Sequence, residues 1–112
     1  MDPERARELL AAERKRIEEA RANLEASGPL EGSGRVEPGD RDSEDLYQDE
    51  LDEGRREQLQ RDLEALEQAE ARLAQGTYGL SVESGEPIPD GRLEAFPMAE
   101  RTVEEEERFR RS

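Results

Sequence analysis

Four polar residues in the C-terminal part of the chain have the spacing of a tetrahedral zinc site. Two residues separate Ser81 from Ser84, seventeen residues follow, and Thr102 and Glu105 repeat the two-residue gap. Cysteines at these positions would give C-x2-C-x17-C-x2-C, a pattern typical of four-thiolate zinc sites. The chain has no Cys and no His, and hydroxyls with one carboxylate are poor substitutes for thiolates as zinc ligands. We therefore predict no metal here, and a loop region held by hydrogen bonds and packing.

For the polar residues we predict hydrogen bonds among Ser81, Ser84 and Thr102, across the place where the zinc-like spacing would put a metal. The apolar part is a small core that replaces the metal. Its candidate members are the larger apolar residues of this region: Tyr78, Leu80, Val82, Ile88, Leu93, Phe96, Met98 and Val103.

Catalysis has no support in the sequence, because His and Cys are absent and no apolar pocket is predicted that would raise the pKa of a carboxyl group. The acidic runs within residues 49–53 and 104–107 carry oxygen ligands of the kind that Mg²⁺ or Ca²⁺ prefers. Neither run has the order of a calcium-binding loop. We interpret both as solvated helix faces and the protein as a non-enzyme without a cofactor.

The charge distribution limits the class of partner. The net charge is −14, and residues 37–53 carry nine acidic residues against the single base Arg41. Such a segment repels phosphate, so direct nucleic-acid binding is not expected and a basic protein surface is the natural complement. No apolar run approaches the ~20 residues of a membrane-spanning helix. The polar beginning of the sequence and the lack of cysteine predict a cytoplasmic protein.

Two long helices are predicted upstream of the zinc-like spacing. The first runs from Pro3 to about Ala26, with Asp2 as its cap and a stop at residues 27–29. The second begins at Asp42 or Ser43 and runs to about Gln75, where Gly76 ends it. Large aliphatic residues recur every seven positions on both helices: Leu10, Ile17 and Leu24, then Leu59, Leu66 and Leu73.

These heptads predict a mainly α fold, in which residues 1–75 form a long antiparallel coiled-coil hairpin with its tip at about residues 28–42. Gly54 is a weak point in the second helix, since glycine costs about 1 kcal/mol relative to alanine. Residues 76–112 form a small second module. In this module we expect two short strands or turns within residues 76–97 and a final helix over residues 98–111. A monomer is expected, although exposed heptads leave dimerisation open.

The C-terminal module resembles a known family. The strings GTYG, SGEPIP and GRLEAFPMAER within residues 76–105 are similar to the C-terminal finger of the DksA/TraR family of bacterial transcription regulators. In that family four cysteines hold zinc, so this chain has the outline of a degenerate member. The resemblance implies binding to RNA polymerase rather than to DNA, with the helical hairpin inserted through the secondary channel.

The family's tip signature, Asp-x-x-Asp-x-Ala, falls on residues 37–42 of this sequence. Asp40 matches it, Glu37 keeps the charge but is one methylene longer, and Asp42 replaces a small apolar residue with a carboxylate. The resemblance thus implies an acidic tip that acts near the catalytic centre. The third carboxylate puts a DksA-type effect in question but not entry into the channel. The alternative is an acidic solvated loop that caps the second helix.

The arginines near the C-terminal end have two interpretations. Arg108, Arg110 and Arg111 are candidates for contact with polymerase or with ppGpp, which some family members use, and frayed terminal charge is the alternative.

The chain as a whole is expected to regulate transcription. The alternative functions are an acidic coiled-coil interaction protein and a decoy that occupies the channel without regulating. A metal-sensing module would require stoichiometric zinc.

Overall fold

The computed structural model describes residues 1–26 and 43–111, apart from the side chains of residues 43–49. Within these ranges the chain forms four α-helices and no strand: α1 (Pro3–Ala26), α2 (Ser43–Gln75), α3 (Asp90–Ala95) and α4 (Val103–Arg111). None of the helices described is both long and apolar enough to cross a membrane. The tip residues that the sequence singled out lie outside the described residues: Glu37, Asp40 and Asp42.

The two long helices have the bounds that the sequence predicted. Asp2 caps α1, because its Oδ2 accepts a hydrogen bond from the backbone N–H of Arg5 at 3.2 Å. At the end of α2, Gly76 has a φ of 81°. The N–H of Thr77 donates to the carbonyl of Arg72 at 2.8 Å. This is the Schellman arrangement, in which a left-handed glycine lets the chain turn back on the last helical carbonyls.

The first two helices pack against each other in opposite directions. Ile17 and Leu66 are fully buried at the centre of their contact. Across it, Arg14 of α1 reaches Glu70 near the end of α2, while Leu24 of α1 lies with Leu59 nearer the start of α2. Five of the six heptad residues are buried in the resulting cluster and Leu73 is partly buried against it. The buried members are Leu10, Ile17, Leu24, Leu59 and Leu66, joined by Ala69 and by Met98 of the C-terminal region.

The C-terminal region differs from the prediction in its elements. The turns expected within residues 76–97 are present at residues 78–79 and 82–84, with an antiparallel bridge between Leu80 and Pro87. Helix α3 was not predicted. The last helix begins at Val103 rather than near residue 98. The physical reason is local, because Thr102 supplies the cap from which α4 starts: its Oγ1 accepts a hydrogen bond from the N–H of Glu105.

The predicted core of this region was half wrong. Ile88 and Leu93 are buried with Ala99 in a second cluster, against which Met1 and Tyr78 pack. Met98 is buried as well, but in the cluster between the long helices. The other predicted members are exposed: Leu80, Val82, Phe96 and Val103. With so few apolar side chains buried, polar contacts must hold much of the region.

Candidate functional site

The four positions with zinc-like spacing begin in a tight loop, residues 79–88, which we call the knuckle. Its two sides are joined by backbone hydrogen bonds from Ser81 N–H to the carbonyl of Glu86 (2.8 Å) and from Ile88 N–H to the carbonyl of Gly79 (2.7 Å). Gly85 turns the chain with a φ of 77°, which an L side chain would strain. The sequence of the knuckle therefore fixes a turn without any metal.

The side chain of Ser81 sits inside this turn and is buried. Its Oγ accepts hydrogen bonds from the backbone N–H groups of Glu83 (3.0 Å) and Ser84 (3.2 Å). The Ser81 hydroxyl in turn donates to Oε1 of Glu105 at 2.6 Å. The hydrogen bond of Ser81 to Glu105 links the knuckle to α4.

Glu105 also organises the start of α4. Its Oε1 accepts a hydrogen bond from the Thr102 N–H (2.9 Å), and its own N–H donates to Oγ1 of Thr102 (3.2 Å). This reciprocal pair is a capping box, in which Thr102 is the cap and Glu105 is the third helical residue. The Thr-x-x-Glu signature of a capping box is present in the sequence, so pattern analysis had a signal for this role and missed it.

The four positions with zinc-like spacing thus come together, but around an anion rather than around a cation. In a zinc site a central cation is surrounded by anionic thiolates. Here the Glu105 carboxylate is the anion, and the Ser81 hydroxyl and the Thr102 N–H donate to it. These contacts, foremost the Ser81 hydroxyl, lower the pKa of Glu105 from its ordinary 4.5 to about 2. The carboxylate is therefore ionised throughout the neutral range.

This arrangement does not fit zinc. The Ser81 hydroxyl is already engaged in three hydrogen bonds, and only one residue of the four, Glu105, is an anionic ligand. No group of three or more His, Cys, Asp or Glu side chains in the described part of the chain is placed to hold a metal ion. The hydrogen bonding expected among Ser81, Ser84 and Thr102 takes another form. The Ser81 hydroxyl and the Thr102 N–H meet at Glu105, and Ser84 contacts Ser81 through its backbone N–H.

A second polar centre, which sequence analysis missed, lies at Arg101. Its guanidinium contacts Glu83 of the knuckle through Nε at 2.9 Å and Glu100 through Nη1 at 2.9 Å. It also lies 3.8 Å from Glu106 of α4 and 3.9 Å from the ring centroid of Phe109, a cation–π contact. Because the side chain of Arg101 is only 14% exposed, this cation joins the knuckle to α4 in a partly desolvated setting.

The region is fixed to the long helices by further contacts. Arg5 of α1 makes a two-pronged ion pair with Glu94 of α3, at 2.8 and 2.6 Å, which lowers the pKa of Glu94. The hydroxyl of Tyr78 donates to the carbonyl of Pro97 at 2.7 Å. Tyr78 packs against both apolar clusters, and burial raises its pKa. The orientation of the region relative to α1 and α2 is thus set by packing and by charge.

The terminal arginines lie in the last turn of α4, where positive charge suits the helix dipole. Arg110 and Arg111 are about three-quarters exposed and pair within their own helix, at 3.8 Å with Glu106 and at 4.0 Å with Glu107.

Known proteins offer one informative comparison. Neither protein-family models nor curated proteins give a match to the chain. Among solved structures, it is similar to transcription factor DksA2 from Pseudomonas aeruginosa, with 25% sequence identity and a TM-score of 0.57. The match covers 97% of this chain and 80% of the other, so the likeness extends over the long helices as well as the knuckle region. The resemblance seen in the sequence is confirmed at the level of structure: this chain has a DksA-like fold.

Proposed function

We propose that this protein regulates transcription by binding RNA polymerase through the secondary channel. In this proposal α1 and α2 are the two arms of a coiled-coil hairpin formed by residues 1–75, with a tip at about residues 28–42. Residues 76–112 are a metal-free counterpart of the family's finger module and dock at the rim of the channel. The observation that carries the proposal is the similarity to a transcription factor over almost the whole chain.

The dimensions of the helices support this mechanism. α2 contains 33 residues and is therefore about 50 Å long at 1.5 Å per residue. A rod of that length can deliver its end into a deep channel while its base stays outside. The carboxylates proposed to act there are Glu37, Asp40 and Asp42.

The charge of the chain supports the same partner. A net charge of −14 favours association with a basic protein surface and disfavours binding to DNA or RNA phosphates. The tip carboxylates would act electrostatically on the catalytic centre or on the mobile elements beside it. We propose that the protein acts as a cytoplasmic monomer and that its effect does not require a metal.

The test has two steps. Binding of the protein to purified core RNA polymerase is measured first, and the yield of initiated transcript is then compared with and without the wild-type protein. We expect saturable binding and a changed yield of initiated transcript. A variant with both Asp40→Ala and Asp42→Ala should still bind but should lose most of the change in yield. The matched control is Glu50→Ala with Glu53→Ala, which removes two negative charges from exposed positions on α2 and should retain the effect.

The outcomes separate the candidate functions. Failure to bind polymerase would overturn the proposal and favour an acidic interaction protein with another partner. Binding with no effect on transcription, combined with displacement of an authentic secondary-channel factor, would identify a decoy. An effect that changes when ppGpp is added, and that Arg110→Ala with Arg111→Ala abolishes, would assign a nucleotide contact to the end of α4.

A further inference from the structure

Among the side chains that the structure describes, the ion pairs between α1 and α2 lie along the half that adjoins the C-terminal region. There Arg14 forms a two-pronged ion pair with Glu70, at 3.1 and 2.7 Å. Next to it, Arg16 lies 3.6 Å from Asp62, and Ile17 is completely buried. Charge and packing together fix the register of the two helices along this half. We call it the root, and it contains Arg14, Arg16 and Ile17 of α1 with Asp62 and Glu70 of α2.

The packing becomes looser toward the other end. Leu24 and Leu59 form the next apolar layer, and each keeps 9% of its surface exposed. They line a cleft of about 160 Å³ between the helices, together with the polar residues Arg21, Glu25, Arg56 and Gln60. The side chains of this layer are therefore less fully enclosed than that of Ile17, which is completely buried.

The described side chains that line the cleft form no ion pair between α1 and α2. Glu25 of α1 and Arg56 of α2 carry opposite charges and line the same cleft, yet the ion pair found for Arg56 is with Glu53 of its own helix, at 4.0 Å. Among the side chains that the structure describes, no ion pair joins α1 to α2 beyond Arg16 and Asp62. The cleft is small compared with typical ligand pockets of roughly 300–1,000 Å³, so we interpret it as loose packing rather than as a binding site.

Gly54 lies two residues from the cleft, in the interior of α2. A Cβ atom built on Gly54 meets nothing within 4 Å, so the glycine is not needed for close approach of a neighbouring segment. Helix α2 continues from Gly54 back to Ser43, past the end of α1 at Ala26, because Glu25 lies level with Arg56. Glycine inside a helix costs about 1 kcal/mol relative to alanine and leaves the backbone more conformational freedom.

From these observations we propose that α2 has a hinge at Gly54, about which residues 43–53 swing relative to the root. The role of the hinge rests on the proposed function: a tip carried by a jointed arm can adjust to the mobile surroundings of the catalytic centre after the base has docked. The existence of the hinge does not rest on it, because bending is measurable in the free protein.

The hinge can be tested by distance measurements between spin labels, since the chain contains no cysteine and introduced cysteines react alone. One pair, Glu50→Cys with Glu67→Cys, spans Gly54. The control pair, Glu57→Cys with Ala74→Cys, has the same separation along α2 without spanning Gly54, and all four positions are exposed. Both pairs predict a mean distance near ~26 Å at 1.5 Å per residue.

We expect double electron–electron resonance to give a wider distance distribution for the spanning pair than for the control pair. Adding Gly54→Ala should narrow the spanning distribution to the control width and leave the control unchanged. Equal widths in the wild-type background, or a spanning width that Gly54→Ala does not narrow, would overturn the hinge. This result is obtained without polymerase and so does not depend on the proposed function.

A second measurement addresses the role of the hinge. Gly54→Ala should bind polymerase with unchanged affinity, because the base is intact, while its effect on transcript yield should fall several-fold. If the variant binds and regulates like the wild type, the hinge has no part in regulation. If neither protein binds polymerase, the proposed function fails while the spin-label result still stands.

Discussion

The Oγ of Ser81 lies 2.6 Å from Oε1 of Glu105, so that two positions spaced like zinc ligands are joined by a hydrogen bond instead. The contact links the knuckle to α4, and Glu105 is also the partner of Thr102 in the capping box. A single carboxylate therefore performs two tasks, closing the knuckle and starting the helix.

Replacing Glu105 with glutamine should lower the thermal unfolding midpoint by several degrees. Gln keeps the shape of the side chain but removes the charge, and hydrogen bonds to an ionised acceptor are stronger than those to a neutral one. Circular dichroism of purified Glu105→Gln measures the midpoint. The matched control is Glu104→Gln, the same change at an exposed neighbouring residue, for which we expect almost no shift. Equal midpoints for the two variants would contradict the central role of Glu105.

The pH dependence of stability should carry the signature of Glu105. Its pKa is about 2 in the folded protein, below the ordinary 4.5, so between these values the unfolded chain binds more protons than the folded one. Stability then rises with pH across this window and is fully present above it, and it is lost as the pH falls toward 2. Urea unfolding between pH 2 and 6 tests this, and Glu105→Gln should flatten the slope. A wild-type slope in the variant would assign the acid sensitivity to other carboxylates.

The natural protein should neither contain zinc nor need it for stability, whereas four cysteine substitutions should create a zinc site. We expect chelators to leave the unfolding midpoint unchanged and elemental analysis to find no stoichiometric zinc. The four changes Ser81→Cys, Ser84→Cys, Thr102→Cys and Glu105→Cys should create a site for one zinc ion, because the hydrogen bonds place these positions close together. A variant with cysteines at 81 and 84 alone should bind zinc far more weakly. Failure of the four-cysteine variant to bind would show that the knuckle geometry does not suit a metal.

The two-helix core can be tested by truncating one side chain. Ile17 is completely buried between α1 and α2, and Ile→Ala changes in cores cost about 2–5 kcal/mol. We expect Ile17→Ala to lose stability within this range in urea unfolding. Leu51→Ala is the control, because Leu51 is 38% exposed and surface changes are usually within about 0.5 kcal/mol. Similar losses for both variants would contradict a core centred on Ile17.

The two long helices were predictable because their signals are local and repeated. Asp2, Gly76 and the heptad aliphatics each specify a cap, a stop or a buried face, and each acts within one or two helical turns. The C-terminal region gave weaker signals. In this region the hydrophobic character of a residue does not tell whether it is buried, since Leu93 is buried and Phe96 of the same short segment is exposed.

The candidate site was predicted in position but not in mechanism. Spacing brought Ser81 and Glu105 to attention, and the metal-free interpretation followed from ligand chemistry alone. The contact between Arg101 and Glu83 joins residues eighteen positions apart, and no periodicity marks such a pair. Long-range polar contacts depend on where the backbone places two side chains, which the sequence does not state locally.

The same glycine-to-alanine change should have opposite effects at two positions. Gly54→Ala should raise the free energy of unfolding by about 1 kcal/mol, because alanine favours the helix and its Cβ meets no atom within 4 Å. Gly85→Ala should lower it by about 1–2 kcal/mol, since Gly85 has a φ of 77° in the knuckle and a Cβ is strained in that conformation. Both Cβ atoms have open space around them, so the sign of each effect isolates backbone conformation from packing. Urea unfolding of the two variants beside the wild type decides the matter, and a loss of stability in Gly54→Ala would contradict a helical, uncrowded Gly54.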